Sequence, residues 1–249
     1  MARILEVCID SLASARAAIR GGADRLELCS ALTLGGLTPY TALLQQIRGE
    51  SSIPIRCLMR PRPGDFLYCA EEIDLMAHQI EALKSAGADG FVIGCLTKDG
   101  NLDDSAMKTL MGAAGTSALT LHRCIDVSRD CVSTYRTAAA LGIDTVLTSG
   151  SAGSCIEGLD TIRTLLMLRD QERGPEILIG AGVNPSNIQR IRTALPTATA
   201  FHASCKRLVE SGMVFRRADI PMGLPGLDEW TIQQTDEAAV RQLKAAITV

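Results

Sequence analysis

Aromatic residues are scarce in this chain, with one Trp, three Tyr and four Phe among 249 residues. So few rings cannot build the stacking platforms that hold single-stranded nucleic acids. An excess of positive charge is also missing. The 25 Lys and Arg are outnumbered by 28 Asp and Glu, for a formal net charge of −3, whereas phosphate backbones select strongly basic faces. Nucleic acid is therefore not an expected partner. No run of about 18 apolar residues occurs, so no membrane span is expected. No cationic segment leads into an apolar run and a small-residue cleavage site, so no secretory signal is expected, and a cytoplasmic location is. No Ser lies in a G-x-S-x-G elbow, which argues against a serine hydrolase. The nine Cys show no C-x-x-C spacing. An odd count without an export signal points to free thiols or a metal site, not to a disulfide framework.

What the sequence does have is a rhythm. Eight short apolar runs, RILEVCID, RLELCS, PIRCLMRP, GFVIG, LTLHRCID, TVLTSG, EILIGAG and TAFHAS, are each followed by a helix-like stretch. This order predicts a (β/α)8 TIM barrel, whose strand C-terminal ends open onto one mouth where chemistry or binding sits. The length and the 47% apolar content suit one such domain. An internal echo supports it: GGADRLELC (21–29), AGADGFVIG (86–94) and LGIDTVLTS (141–149) align without gaps as helix end, Gly, Asp and strand. A single domain is expected over 1–249, with a barrel core over 1–204 and a C-terminal extension over 205–249. Gly212, Pro221, Gly223, Pro225 and Gly226 make Cys205 to Glu237 read as an irregular tail that covers an edge, lines the mouth or meets a second subunit. A final helix is expected over Glu237 to Ile247.

Helix punctuation is legible between the strands. Gly21-Gly22 ends a helix begun at Ser11, and Thr38-Pro39 opens the next. Ala70 to Ala86 carries Ile73, Met76, Ile80 and Leu83 on one face. Asp103 reads as an N-cap for 104–112. Ser154 to Glu157 reads as a capping box, and Asn184-Pro185 as a cap with Pro in the first turn.

Side chains alternate along strands. If Leu5, Val7 and Ile9 pack on the helices, then Glu6, Cys8 and Asp10 point into the barrel. By the same phase Arg25, Glu27 and Cys29 point inward from the second strand. Two inward thiols on neighbouring strands make a candidate soft-metal site, best suited to low-coordinate Cu(I). The simpler reading of a Cys is a small, well-packed core residue. The third strand runs into Arg60, Arg62, Asp65 and Phe66. The arginines could clamp a carboxylate or phosphate, or belong to an ionic network with Glu6, Glu27 or Asp65. Arg56 reads as a structural partner of the glutamates. In the fifth strand His122, Cys124 and Asp126 are expected inward, with His122 as a base or metal ligand and Asp126 as its orienter or a hydroxyl acceptor. His202 and Ser204 end the eighth strand in the same way. Gly180 and Gly182 follow the seventh strand, where glycine loops often hold anions on backbone N–H groups. Arg60, His122, Asp126 and His202 are the catalytic candidates. Arg62, Asp65, Ser149, Gly180, Gly182 and Ser204 are the candidates for substrate contact.

LEVCIDS (5–11), GGADRLELCS (21–30), GGLTP (35–39), RPRPGDFLY (60–68), GADGFVIGCLTKDG (87–100), HRCID (122–126), LTSG (147–150) and FHAS (201–204) together resemble the CutC copper-homeostasis protein family. The SGMVFR stretch (211–216) looks most like animal members. The resemblance spans nearly the whole chain. It implies a cytoplasmic, homo-oligomeric barrel linked to copper handling, with Cu(I) attributed to two thiols that match Cys8 and Cys29. No established reaction comes with it. The chain departs from the family's usual pattern at HRCID, where HRAFD is commoner, at the less glycine-rich IGAGV, at Lys206 and at Cys57. Three readings follow: a copper protein using Cys8 and Cys29; an enzyme acting on a small anionic or polyhydroxylated metabolite at the mouth; and a structural barrel whose mouth is filled by its own side chains.

Overall fold

The computed structural model describes residues 3–217, 219, 220, 222, 223, 226 and 228–248. Eight parallel strands close into a barrel in chain order: β1 (Ile4–Ile9), β2 (Arg25–Leu28), β3 (Ile55–Leu58), β4 (Gly90–Ile93), β5 (Ala118–Leu121), β6 (Thr145–Thr148), β7 (Glu176–Ile179) and β8 (Ala200–Ala203). Between them run α1 (Leu12–Gly21), α2 (Thr41–Glu50), α3 (Ala70–Ser85), α4 (Asp104–Ala114), α5 (Cys131–Leu141), α6 (Leu159–Glu172) and α7 (Ile188–Ala194). The expected TIM barrel is what the chain forms. Leu5, Val7, Ile9, Leu26, Leu28 and Phe91 face outward from the strands into the main core beneath the helices.

The sequence echo has a physical cause. In each copy a Gly in the left-handed region, Gly22, Gly87 or Gly142, turns the chain out of a helix. The Asp two positions later clamps the start of the preceding strand. Asp24 accepts the Leu5 N–H (2.7 Å), Asp89 that of Ile55 (2.7 Å) and Asp144 that of Leu119 (2.6 Å). Each Asp also donates its own N–H to the carbonyl of the same residue. The motif therefore pins strand pairs at the bottom of the barrel, away from the mouth, where repeated residues serve stability.

The extension departs from the expected irregular tail. β9 (Lys206–Glu210) and β10 (Thr231–Thr235) pair antiparallel as a separate two-stranded sheet. Turn-type residues between the two strands hide this pairing in the sequence; Pro221 and Pro225 lie outside the described residues. α8 (Glu237–Thr248) follows, as expected, and buries Val240, Leu243 and Ile247. A side chain at Gly21 would come within 2.5 Å of Val240 Cβ, so glycine lets α1 and α8 approach closely.

Asp103 caps α4 as read, and Ser11, read as the first residue of its helix, is instead the N-cap of α1; each accepts the N–H three residues on. Other starts fall later. α2 begins after Tyr40, not at Pro39. Ser154 to Glu157 closes a turn of its own, and α6 begins after Gly158. Asn184 accepts N–H groups from Ser186 and Asn187, so its turn precedes α7 instead of opening it. Among the described residues, no helix is long and apolar enough to cross a membrane.

Candidate functional site at the barrel mouth

Inside the barrel a polar layer crosses the strands. Glu6 lies opposite Arg25 in the β1–β2 register, and Cys8 lies opposite Glu27. The closed barrel thus staggers the two matching Glu-x-Cys pairs by one inward step. Arg25 Nε donates to Glu6 Oε2 at 2.5 Å, and His202 Nδ1 lies 2.8 Å from Glu6 Oε1. Burial alone would raise the Glu6 pKa, but Arg25 and then His202 overcome it and hold it at about 2. Arg56 does not bond the glutamates as expected. Its guanidinium donates to Thr120 and to Thr145 (3.0 Å), because β5 and β6 face it across the barrel. Burial, with Arg25 nearby, lowers its pKa to about 10.

Above this layer Cys8, Glu27 and His202 offer donor atoms that all lie within 4.8 Å of one another. His202 Nε2 is 3.7 Å from Glu27 Oε2. Burial opposes charge on His202, yet the facing Cys8, Glu27 and Glu6 raise its pKa well above the usual value. Burial raises the Glu27 carboxyl, with His202 pulling against it. Cys29 is 1% exposed. Its thiol donates to Glu27 Oε2 at 3.5 Å and shares a small cluster with Cys8, Leu58 and Val92. Burial, then Glu27 and Cys8, push this thiol well above the ordinary range. All nine Cys are free.

A cavity of about 430 Å³ opens over this layer. Of the sequence-derived candidates, Cys8, Arg60, His122, Gly182, His202 and Ser204 line it. Cys29, Arg62, Asp65, Asp126, Ser149 and Gly180 are absent from its wall. Arg62 and Asp65 are used up locally: Arg62 bonds Glu72 (2.6 Å), Asp65 (3.1 Å) and the Leu67 carbonyl (2.7 Å), which fixes the loop after β3. Asp126 is a loop clamp. β5 ends at Leu121 and a 3-10 turn over Arg123–Val127 breaks the alternation. Cys124 is thereby carried into the outer core, and Asp126 is turned toward the end of β6. There its oxygens accept from Thr148, Ser149, Ser151 and Arg123. Ser149 is spent on the same clamp and on the Ala152 carbonyl (2.7 Å). Gly180 leaves room for Leu147, whose Cδ1 would lie 2.6 Å from an added Cβ.

Arg60 lines the cavity but is heavily engaged. It donates to the carbonyls of Leu34, Gly36 and Gly64 at 3.0–3.1 Å, tying together the loops after β2 and β3. It also sits 5.4 Å from the Phe66 ring centroid. His122 is 4% exposed and packs against Phe66 with ring centroids 4.7 Å apart and planes tilted by 41°. Its Nδ1 accepts the Cys124 N–H at 3.1 Å, which assigns the ring proton to Nε2. Nε2 is buried and has no partner among the described residues. Burial, with Arg60 beside it, drops the His122 pKa to about 3, so the ring is neutral. A side chain at Gly94 would fall 2.5 Å from both the His122 ring and Cys124 Sγ, so glycine there makes the ring's position possible.

Sequence reasoning missed part of the wall. Arg123 is held by Asp126 and Ser149. Lys206, Gln233, Gln234 and Thr235 come from the β9–β10 pair, so the extension lines the mouth. The β-branched Val209 beside Leu208 and the β-branched ends of TIQQT (231–235) are the signals that could have revealed the strands.

A family model described as the CutC family matches residues 3–207. A CutC family protein of Chromobacterium violaceum is 42% identical, with 99% of each chain covered. The human copper homeostasis protein cutC homolog is 41% identical over 97% of this chain and 88% of its own length. The solved structure of CutC from Streptococcus agalactiae superposes with a TM-score of 0.75 at 27% identity, covering 81% of this chain and 98% of that one. Phosphoribosylanthranilate isomerase from Pyrococcus furiosus (TM-score 0.58, 13% identity, 98% of each chain) shares the fold alone. By motif, barrel and alignment over nearly its full length, the chain belongs to the CutC family.

Proposed function

We propose that this chain acts in copper homeostasis by binding Cu(I) through Cys8 and Cys29 inside the barrel. The observation that supports it is the packing of both thiols in one small cluster, with Cys8 on the wall of the open cavity. Thiolates are soft ligands, and a pair of them suits a cuprous ion. Cys29 must give up the proton it shares with Glu27, so binding is expected to release protons and to strengthen as pH rises. The nine free thiols suit a reducing, cytosolic setting. Contact between copies through exposed Leu208, Val214, Phe215 and Ile232 belongs to the same reading. X-ray absorption on the Cu(I)-loaded protein is expected to show a low-coordinate sulfur shell. A shell of nitrogen and oxygen alone would rule the thiol pair out.

The cavity itself favours a second reading, an enzyme acting on a small anionic or polyhydroxylated metabolite. Its volume is within the range of small-molecule pockets. Asp10, His122, Arg123 and Lys206 give it polar walls of both signs. So roomy a mouth speaks against a barrel filled by its own side chains. Incubation with metabolite mixtures is expected to show a compound consumed by the wild type and spared by His122→Ala. Equal turnover by the two would remove His122 from the site.

A further inference from the structure

Cys8, Glu27 and His202 come from three strands that adjoin one another around the barrel, β1, β2 and β8. They differ in kind, a thiol, a carboxylate and an imidazole, yet their donor atoms converge to within 4.8 Å. Around a tetrahedral ion with bonds of about 2.0–2.3 Å, neighbouring donors sit about 3.3–3.7 Å apart. The 3.7 Å between His202 Nε2 and Glu27 Oε2 is within about 0.4 Å of the nitrogen–oxygen spacing, and Cys8 needs an inward shift of no more than about 1.5 Å. All three residues line the cavity, which leaves a fourth position open to it.

The surroundings are those of a metal-bound imidazole. A ligating His commonly donates its other ring N–H to a carboxylate, which fixes the tautomer and aims the free nitrogen at the metal. Here the Nδ1 of His202 faces Glu6 at 2.8 Å, and Glu6 is anchored by Arg25. Cys29 lies outside the group of three. Formal charge separates this donor set from the thiol pair. A divalent ion with one thiolate and one carboxylate is neutral as a unit. Cu(I) between two thiolates beside the Glu27 carboxylate leaves two negative charges. Mixed S, N and O ligation suits a borderline ion of the zinc kind more than a soft one.

We propose that Cys8, Glu27 and His202 form a second coordination set, for a divalent ion of the zinc class, with its fourth position facing the cavity. Three protein ligands and one open position are the pattern of a zinc site that handles substrate, not of a closed structural one. Cys8 belongs to both sets, so a divalent ion and Cu(I) compete for the barrel.

Co(II) titration of the reduced, full-length protein tests this, because cobalt reports its own ligands in its absorption spectrum. The expected result is one equivalent bound, with thiolate-to-cobalt charge transfer and the intense visible bands of four-coordinate cobalt, all abolished by Zn(II). His202→Gln and Glu27→Gln are each expected to weaken Co(II) by more than roughly tenfold, since even outer-shell losses cost 10- to 100-fold. His202→Gln is expected to keep Cu(I) binding. Cys29→Ser is expected to do the reverse, and Cys8→Ser to lose both ions. Should one of the Glu27 and His202 variants fail to fold by circular dichroism, the other decides. A spectrum without thiolate charge transfer, or one that survives His202→Gln, overturns the proposal. Retention of Cu(I) by Cys29→Ser would overturn the copper reading and leave this site standing, so failure of the copper reading and failure of this one are told apart.

Discussion

Arg25→Met is expected to cost about 3–5 kcal/mol of folding stability, as removing one partner from a buried ion pair does. Glu6 is fully buried, and among the described residues its carboxylate is held by the side chains of Arg25 and His202 alone. Without Arg25, that charge sits in the barrel interior with one partner instead of two. The pair itself is a weak source of stability, because both ions lose their water on folding; the loss comes from stranding one of them. Denaturant unfolding of the variant measures it. Adding Glu6→Gln to Arg25→Met is expected to recover part of the loss, since the stranded charge is then gone. A loss below about 1 kcal/mol, the range of exposed pairs, would mean that water reaches Glu6.

The same pair sets a pH dependence. The Glu6 carboxyl titrates at about 2 in the folded chain against an ordinary value of 4.5. A carboxyl depressed on folding contributes stability that is present in full above the unfolded pKa and lost as pH falls through the folded one. The window runs from about 4.5 down to about 2. Glu27 is shifted upward and works in the opposite sense: its contribution is largest in acid and fades as pH rises. Comparing wild type with Glu6→Gln isolates the first effect. The wild type is expected to lose its advantage across that window.

The barrel was legible because its signals are local. Alternation placed Glu6, Cys8, Arg25 and Glu27 inward, and the Gly–x–Asp echo marked the starts of β2, β4 and β6. The candidate site was legible only in part, because its geometry depends on closure. Matching Glu-x-Cys pairs suggest that Cys8 stands beside Cys29. The barrel's stagger instead sets Cys8 level with Glu27 and brings His202 from the far end of the chain against both. Asp126 looks catalytic in the sequence because nothing there shows that a 3-10 turn carries it to the backbone of Ser149 and Ser151. Arg60 looks like an anion clamp for the same reason; the carbonyls that occupy it come from a loop about 25 residues upstream and from its own. Phase along one strand can be read from residues, but partners across strands require the register.

Copper affinity depends directly on the thiol pair. Cys8 and Cys29 are the two soft donors that share a cluster inside the barrel, and a cuprous ion bound there depends on both. Replacing a thiolate with a hydroxyl removes a first ligand, whereas losing an outer partner alone costs about 10- to 100-fold. Cys8→Ser with Cys29→Ser is therefore expected to lower Cu(I) affinity by more than roughly 100-fold. Neither serine is expected to disturb the fold, since the two groups are nearly the same size. The direct measurement is competition for Cu(I) between the reduced protein and a chromophoric cuprous chelator, wild type against the double variant. The wild type is expected to withdraw the metal from the chelator and the double variant to leave it there. Equal withdrawal by both would contradict the thiol-pair assignment and move any copper site away from Cys8 and Cys29.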